Sequence, residues 1–206
     1  MGKYISLTFD DGPTIGITNQ VLDLIEQYKI SASFFLITEK ISEETIPLIK
    51  RALSLGCTIE NHTITHPFLT KLSDEEILHE FKEASRMITE VTGDEPQFLR
   101  PPYIDVDDRV RKLITLPLIC GQGCNDWELE VSAEYRAKTI IENAQSGQIV
   151  LLHDMDNNVN TVEALKTIIP ALLEQGYELV NVRDLFKKTG VEPKAGVMYT
   201  ETGIEG

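Results

Sequence analysis

Cysteines and long hydrophobic segments are both scarce in this sequence of 206 residues. The three cysteines, Cys57, Cys120 and Cys124, are odd in number and lack the spacing of a zinc ribbon. We therefore expect buried apolar side chains here rather than a disulfide framework. No apolar run approaches the roughly 18 to 20 residues of a membrane span, so no membrane insertion is expected. No charged start followed by an apolar core marks a signal peptide, which leaves the location open at this stage.

Positive charge is also in short supply, with 19 Lys and Arg against 33 Asp and Glu and a net charge of −14. Nucleic acids and anionic membranes bind clustered Lys and Arg, so we expect neither as a partner, and a neutral or weakly charged substrate fits better. The length and a hydrophobic content of 42% are typical of one globular domain. We predict a single domain over residues 1–190. Because periodicity ends there, a surface tail is predicted over residues 191–206.

Strand-like runs alternate with amphipathic helical segments, which is typical of a parallel sheet or barrel. Helices are predicted over residues 18–28, from the capping box of Ser73 and Glu76 to Gly93, and over residues 162–175. The β-then-α units repeat about every 25 to 30 residues. We therefore predict an α/β fold with a distorted or incomplete (β/α)7-8 barrel, and an open doubly wound sheet is the alternative. The seven strand candidates are YISLTF, SASFFLI, CTIE, PQFL, LPLIC, QIVLL and YELVNV.

Nearly every polar residue with catalytic potential comes directly after a predicted strand. The carboxyl ends of barrel strands meet at one rim, where the active sites of barrels are built, so we expect these residues to converge. They are Asp10, Asp11, His62, His66, Arg100, Asp126, Trp127 and His153.

The segment TFDDGP, residues 8–13, places two adjacent carboxylates at the end of the first strand. Such carboxylates repel each other unless a cation or a proton intervenes, and an acidic turn that caps the next helix is the alternative interpretation. Successive side chains of a strand point in opposite directions, so Asp10 and Asp11 can take separate roles only if the turn redirects one of them. We expect Gly12 to permit that redirection.

The segment HTITH, residues 62–66, holds two histidines four positions apart. On a helical turn they lie on one face and can bind one metal ion, although such a pair is more often incidental when it stands alone. Together with Asp11 they form a set of two histidines and one carboxylate, which leaves coordination positions open for water and substrate. For Asn61 and Thr63 we expect turn chemistry only.

Two further segments are ambiguous when each is considered alone. RPPY, residues 100–103, fixes the backbone with two prolines and places a guanidinium near the rim, or it forms a rigid loop with a surface arginine. In LLHD, residues 151–154, Leu151 and His153 face the same side of a strand. That histidine either belongs to a site or is a core histidine bonded to a backbone carbonyl group.

In this order, TFDDGP, NHTITH, RPPY, NDW and LLHD resemble the five motifs of the polysaccharide deacetylases, carbohydrate esterase family 4, also called the NodB homology domain. The resemblance covers residues 3 to about 185, and it implies the distorted barrel of that family and a hydrolytic enzyme. It also implies that Asp10 is the catalytic base. Asp11, His62 and His66 would bind a divalent metal, zinc or cobalt.

The resemblance implies roles for the surrounding residues as well. Arg100 would orient and tune the base, the backbone N–H of Tyr103 would help to hold the oxyanion, and His153 would be the general acid. Asp10 would take a proton from an activated water and His153 would protonate the departing sugar atom, with no covalent acyl intermediate. Substrate contacts are implied for Pro101, Tyr103, Trp127 and Leu151.

One position departs from the fourth motif of the family, D-x-x-D-W, whose leading aspartate partners the catalytic histidine. Gly123 stands there in GCNDW, so His153 is expected to lack a carboxylate partner unless Asp126 or another carboxylate replaces it. A weaker acid favours esters over amides. We therefore predict an O-deacetylase, most similar to acetylxylan esterase modules and acting on xylan. The alternative is N-deacetylation of chitin oligomers or peptidoglycan.

Two other classes of protein rank lower. A magnesium-dependent phosphoryl switch also places acidic pairs at a strand end, but it gives the histidines no purpose. A binding module with an inactive site is disfavoured because every expected metal ligand is present. The implied polymeric substrate favours a secreted, extracellular location, while the missing signal peptide leaves a cytoplasmic location open. We expect a monomer.

Overall fold

Strands and helices alternate along residues 2–202, the part of the chain that the computed structural model describes. The strands are β1 Lys3–Asp10, β2 Ser33–Leu36, β3 Thr58–Asn61, β4 Leu118–Ile119, β5 Ile149–His153, β6 Tyr177–Leu179 and β7 Met198–Tyr199. The helices are α1 Ile17–Tyr28, α2 Ile46–Ser54, α3 Asp74–Thr92, α4 Asp108–Leu113, α5 Ala133–Glu142, α6 Val159–Glu174 and α7 Val182–Thr189.

The strands form a parallel barrel. On one side, isolated bridges made by single residues, not continuous strands, close the ring. Four of them are hydrogen-bonded in the order β3-β2-β1-β5, and β6 pairs with the start of β1. Leu99 bridges β3 to β4 through Asn61 and Leu118, and Gln122 bridges to Val150 of β5. The predicted distorted barrel is therefore confirmed, and the open sheet is not.

One strand candidate, PQFL, does not form a strand. Only Leu99 of this segment makes ladder bridges. The backbone N–H groups of Gln97 and Phe98 both donate to Oε2 of Glu60, at 2.8 and 3.1 Å, instead of to a neighbouring strand. A buried carboxylate thus takes over hydrogen bonds that a continuous strand would have made with a backbone partner.

The predicted surface tail is wrong for residues 191–202. Met198 and Tyr199 pair in parallel with β4, and both side chains are buried. The Tyr199 ring packs edge-on against Phe186, with centroids 5.1 Å apart. A strand of two residues is too short to show periodicity in the sequence, which is why the segment resembled a tail. Residues 203–206 of the predicted tail lie outside the described part.

Helices cover the outside of the barrel and bury apolar faces against it. The capping box predicted for α3 is confirmed, because Ser73 accepts the N–H of Glu76, whose carboxylate accepts the N–H of Ser73. Gly93 ends this helix in the left-handed conformation, with φ 76°. Across residues 2–202, none of the helices combines the length and hydrophobicity that a membrane crossing needs.

The cysteines have the expected character. Cys57 and Cys124 are buried, Cys120 is partly buried, and all three are free thiols. Burial raises the pKa of the Cys57 thiol to about 11 and, together with the charge of Asp126, that of Cys124 to about 12. These two thiols therefore remain protonated and unreactive near neutral pH.

Candidate active site

A cavity of about 380 Å³ opens at the carboxyl ends of the barrel strands. The adjacent parallel strands β1 and β5 bring Asp10 and His153 to the same register position, so two residues far apart in sequence become neighbours. The lining residues are Asp10, Asp11, His62, His66, Pro101, Tyr103, Ile104, Trp127, Leu151 and His153. The predicted site residues Arg100 and Asp126 lie behind this wall, and both are fully buried.

Asp10 is held at the end of β1 by a buried arginine. Nη1 of Arg100 donates to Oδ1 of Asp10 at 2.5 Å, and Nη2 donates to Oγ1 of Thr8 at 2.8 Å. Thr8 and Asp10 lie two positions apart on one strand, so both face the guanidinium. Arg100 has no exposed surface, which corrects the interpretation as a surface arginine, and it fixes the orientation of the Asp10 carboxylate.

The turn after β1 redirects Asp11 by a different route from the one expected. Asp11 itself is in the left-handed region, with φ 70°, whereas Gly12 has no positive φ. A Cβ atom at Gly12 would lie 2.5 Å from Oδ2 of the buried Asp154. Glycine is therefore required here for the close approach of another side chain, and the change of direction takes place one residue earlier.

The two histidines of HTITH lie on an irregular loop, which corrects the expectation of a helical turn. Thr63 and His66 both have positive φ, 69° and 61°, so the segment cannot be helical. The Thr63 N–H donates to Oδ1 of Asn61 at 2.7 Å, and the His66 N–H donates to Oγ1 of Thr63 at 3.2 Å. Asn61 and Thr63 thus serve the turn, as predicted.

Glu80 on α3 holds the centre of this loop. Its Oε2 accepts the backbone N–H groups of Ile64 and Thr65 at 2.8 and 3.0 Å, and its Oε1 accepts the Thr65 hydroxyl at 2.8 Å. Glu80 is only 8% exposed, so its carboxylate is a buried acceptor for these three hydrogen bonds. They fix a loop that makes few regular backbone hydrogen bonds of its own. No local sequence pattern indicates this role of Glu80, which was not predicted.

Asp11, His62 and His66 form a set of side chains that fits a metal ion. Their ligand atoms all lie within 4.8 Å of one another, and Oδ1 of Asp11 is 3.4 Å from Nε2 of His62 and 3.3 Å from Nε2 of His66. Ligands around a tetrahedral zinc ion stand about 3.4 Å apart. Oδ1 of Asp11 is buried without a hydrogen-bond partner, so a cation would satisfy an otherwise unpaired oxygen.

Protonation in this cluster also favours metal binding. Nδ1 of His62 lies 2.6 Å from the backbone oxygen of Arg100, which places the ring proton there and leaves Nε2 as a lone pair toward Asp11. Burial and the neighbouring His62 lower the pKa of His66, which favours its neutral form. Burial opposes ionisation of Asp11, but when no metal is bound and His62 is protonated, its hydrogen bond and charge, with the charges of the other histidines, lower the pKa of Asp11 to about 2.

His153 has a carboxylate partner, which corrects the expectation drawn from Gly123. Oδ1 of Asp126 lies 2.8 Å from Nδ1 of His153, and Oδ2 accepts the backbone N–H of His153 at 2.7 Å. Gly123 lies elsewhere, against Leu151 and Trp127. Asp126, directly before Trp127, therefore takes the role expected of an aspartate at position 123. His153 is not a weak acid for lack of a partner, so a preference for esters does not follow.

The pairing with Asp126 changes the protonation of His153. Burial disfavours the imidazolium, but the hydrogen bond and charge of Asp126, aided by the charges of Asp10 and Asp11, raise the pKa of His153 to about 9. At neutral pH the side chain is therefore protonated. With Nδ1 engaged by Asp126, the proton on Nε2 can be donated into the cavity.

Aromatic side chains form the mouth of the cavity. Trp127, 47% exposed, meets the His153 ring edge-on at 6.0 Å between centroids. Tyr103, with φ 57°, stacks on Phe68 at 3.9 Å and touches the edge of His66. Together with Pro101 and Leu151, which line the cavity as predicted, these rings offer an apolar surface around the charged groups.

Other residues around the site were also missed from the sequence. Thr8 could have been found from the alternation of side chains along β1, because it lies two positions before Asp10. Asn158 and Thr161, whose side chains donate to Asp126, follow β5 in a turn and a helix and carry no sequence signal of their own.

Known proteins resemble this chain in sequence and in fold. A family model described as polysaccharide deacetylase matches residues 1–116. The chain is 40% identical over 191 residues to a bifunctional xylanase/deacetylase of Pseudobutyrivibrio xylanivorans, covering 93% of this chain and 32% of the relative. A peptidoglycan-N-acetylglucosamine deacetylase of Bacillus cereus is 37% identical over 192 residues, covering 90% of this chain and 89% of the relative.

A solved structure shares the same fold. The family 4 acetyl xylan esterase from Clostridium thermocellum, in complex with a cobalt ion, superposes with a TM-score of 0.95 at 32% identity, covering 98% of this chain and all of that one. The chain spans about a third of the length of the first curated relatives that it matches. Similarity to them therefore describes a shared domain and not a shared whole protein.

Proposed function

The chain belongs to the polysaccharide deacetylase family, and from this premise we propose that it hydrolyses acetyl groups from an acetylated glycan. One observation carries the proposal. Three side chains that could bind a metal ion, a carboxylate fixed by Arg100 and a histidine paired with Asp126 all border one cavity. Phosphoryl switches need no such pair of histidines, so the phosphoryl-switch alternative loses its support.

Each side chain has a definite task in this proposal. A zinc or cobalt ion bound by Asp11, His62 and His66 would lower the pKa of a bound water and polarise the acetyl carbonyl group. Asp10 accepts the proton of the attacking water, because Arg100 engages Oδ1 and leaves Oδ2 available. His153 donates its Nε2 proton to the departing sugar atom. The sequence contains no GxSxG segment, which agrees with direct attack by water.

For the substrate we propose O-acetyl groups on xylan. The similarity to a xylanase/deacetylase and to an acetyl xylan esterase supports this choice. The net charge of −14 also suits a neutral polymer better than an anionic one. Because a polymer of this kind does not cross membranes, we propose that the chain acts outside the cell. One chain supplies every group of the cavity, so it can act as a monomer.

A second candidate is the removal of N-acetyl groups from chitin oligomers or peptidoglycan, which the Asp126 and His153 pair favours. An amine leaving group must be protonated as it departs, and a histidine whose pKa is raised to about 9 is well suited to supply that proton. The peptidoglycan deacetylase relative supports the same alternative.

Acetate release tests the proposal directly. Acetylated xylan and acetylated chitooligosaccharides would be compared on the same protein, first stripped with a chelator and then reloaded with zinc or cobalt. We expect activity to vanish on stripping and to return on reloading, with faster release from xylan. Faster release from the chitooligosaccharides would select the second candidate, and full turnover by metal-free protein would exclude the proposed chemistry.

Two variants separate the roles of the cluster. Asp10→Asn is expected to lose nearly all turnover while it still binds zinc, because the base is not needed to hold the metal. His62→Ala is expected to lose zinc itself, because it removes one of three ligands. Zinc content after gel filtration distinguishes the two.

A further inference from the structure

Arg136 is a fully buried arginine outside the cavity whose side-chain donors all point toward the region around Asp126. It lies on α5 and has no exposed surface. Nε donates to the backbone oxygen of Val131 at 2.9 Å, and Nη2 donates to that of Glu128 at 2.9 Å. Both acceptors belong to the loop that follows Trp127. The guanidinium thus fixes the segment that carries the partner of His153.

The remaining donor connects Arg136 to the Asp126 carboxylate through two side chains. Nη1 donates to Oδ1 of Asn158 at 2.5 Å and to Oγ1 of Thr161 at 2.7 Å. Oγ1 of Thr161 then donates to Oδ2 of Asp126 at 2.9 Å. Nδ2 of Asn158 donates to the backbone oxygen of His153 at 2.9 Å and lies 3.5 Å from Oδ2 of Asp126.

The direction of these hydrogen bonds is set by the arginine. A guanidinium can only donate, so a hydroxyl that accepts from it must turn its own proton elsewhere. For Thr161 the acceptor is Asp126. The same reasoning fixes the Asn158 amide, whose oxygen faces Arg136 and whose nitrogen must face Asp126 and His153.

We propose that Arg136 is a positioning residue for the general acid His153. Through Thr161 and Asn158, Arg136 holds Asp126 against His153. This role rests on the proposed function, because it requires that His153 donates a proton to a leaving group. Arg136 touches neither the cavity nor the metal-binding side chains, so its effect is specific to the proton-donating half of the reaction.

The choice of leaving group separates this role from a merely structural one. The sugar alkoxide or amine needs a proton as it departs, whereas the nitrophenolate of 4-nitrophenyl acetate leaves without one. A misplaced acid therefore slows release from an acetylated glycan and spares the activated ester. Loss of folded protein or of metal would lower both rates together.

The test compares the zinc-loaded wild type with Thr161→Val, which keeps the side-chain shape and removes the hydroxyl. We expect kcat on acetylated xylan oligosaccharides to fall about tenfold, kcat on 4-nitrophenyl acetate to change less than about twofold, and Thr161→Ser to restore the wild-type ratio. Arg136→Met should also lower the ratio of kcat on the xylan oligosaccharides to kcat on 4-nitrophenyl acetate. Arg183→Met is the matched control, because Arg183 is also largely buried but pairs with Glu60 and Asp94.

Each outcome decides a separate point. An unchanged ratio of the two rates in Thr161→Val overturns the positioning role, and so does a lowered ratio in Arg183→Met. If Arg136→Met does not fold, the comparison of valine with serine at position 161 still decides. A zinc-loaded wild type that releases acetate from neither substrate would refute the proposed function itself, and with it the role that depends on it.

Discussion

Asp126 determines whether His153 can act as an acid. Without a partner, burial alone would lower the pKa of this imidazole and leave it neutral at pH 7. The carboxylate 2.8 Å from Nδ1 reverses that effect and raises the pKa of His153 to about 9. The same carboxylate also accepts the backbone N–H of His153, so it fixes the position of the ring as well as its charge.

Replacing this carboxylate should therefore shift the pH dependence of activity. A general acid works only while protonated, so kcat/KM should decline as the pH rises toward about 9, and earlier if the bound dication repels the imidazolium. Asp126→Asn removes the charge that raises the pKa of His153, while burial still lowers it. The decline in kcat/KM should therefore move to lower pH, toward or below the ordinary histidine value of 6.5. Measuring kcat/KM on acetylated xylan from pH 5 to about 10 tests this.

The control for this experiment is the activated ester, whose decline should not move with the Asp126→Asn change. If kcat/KM on acetylated xylan declines at the same alkaline pH in wild type and variant, a group other than His153 limits the reaction. The sequence indicated most of the residues around this cavity, but not Ile104, which lines it, or Thr8, Asn158 and Thr161, which lie behind it. Asp126 and His153 lie 27 positions apart, and only the packing of the loop after β4 against β5 brings them together.

At the scale of elements, α3 holds the loop that carries His62 and His66, two of the three proposed metal ligands. Thr63 and His66 adopt left-handed backbone conformations that non-glycine residues rarely occupy, so the loop needs outside support to keep both imidazoles aimed at Asp11. Glu80, in the N-terminal half of α3, supplies it with three hydrogen bonds. Metal affinity should thus depend on a helix residue that is not a ligand.

We expect Glu80→Ala to weaken zinc binding about 10- to 100-fold, the range typical of residues that orient metal ligands. Glu80→Gln should lose less, because its amide oxygen can still accept the loop N–H groups. Competition with a chromophoric chelator measures the affinity. Glu90→Ala is the control, because Glu90 lies on the same helix but pairs with Arg86 on the exposed side. Equal zinc affinity in Glu80→Ala and wild type would refute the supporting role.

The same helix shows what sequence patterns can and cannot predict. Its start and end follow local rules, a capping box at Ser73 and a glycine stop at Gly93, and both were predicted. The HTITH loop follows local turn rules only in part, because its centre is held by Glu80, 16 positions away from Ile64. The histidines do lie together with Asp11, as their spacing suggested, while the helical turn inferred from the same spacing was wrong.

At the scale of the whole molecule, the barrel depends on very short strands. β4 has two residues, and it joins the ring through Leu99 on one side and through Gln122 further along the chain on the other. β7 pairs with β4 and buries Tyr199 against Phe186. A period of two residues cannot be recognised in strands of that length, so the sequence predicted the barrel but not how it closes.

Tyr199→Ala tests whether residues 191–202 belong to the fold. The ring is 2% exposed, so its removal should lower the free energy of unfolding by about 3 to 5 kcal/mol, as for other large aromatic residues of a core. Tyr199→Phe keeps the ring and loses only the hydroxyl that accepts the Lys194 N–H, which should cost about 1 kcal/mol. Denaturant unfolding of zinc-free protein measures both.

The control is Tyr135→Ala, since Tyr135 is 54% exposed on α5 and its removal should change stability by less than about 0.5 kcal/mol. If residues 191–202 were a surface tail, Tyr199→Ala would be as mild as this control.

Because β4 leads into the loop that carries Asp126, we also expect the loss at Tyr199 to reduce activity on acetylated xylan more than on 4-nitrophenyl acetate. The destabilised end of the barrel would then disturb the acid before it disturbs the metal-binding side chains, which lie on the loops after β1 and β3.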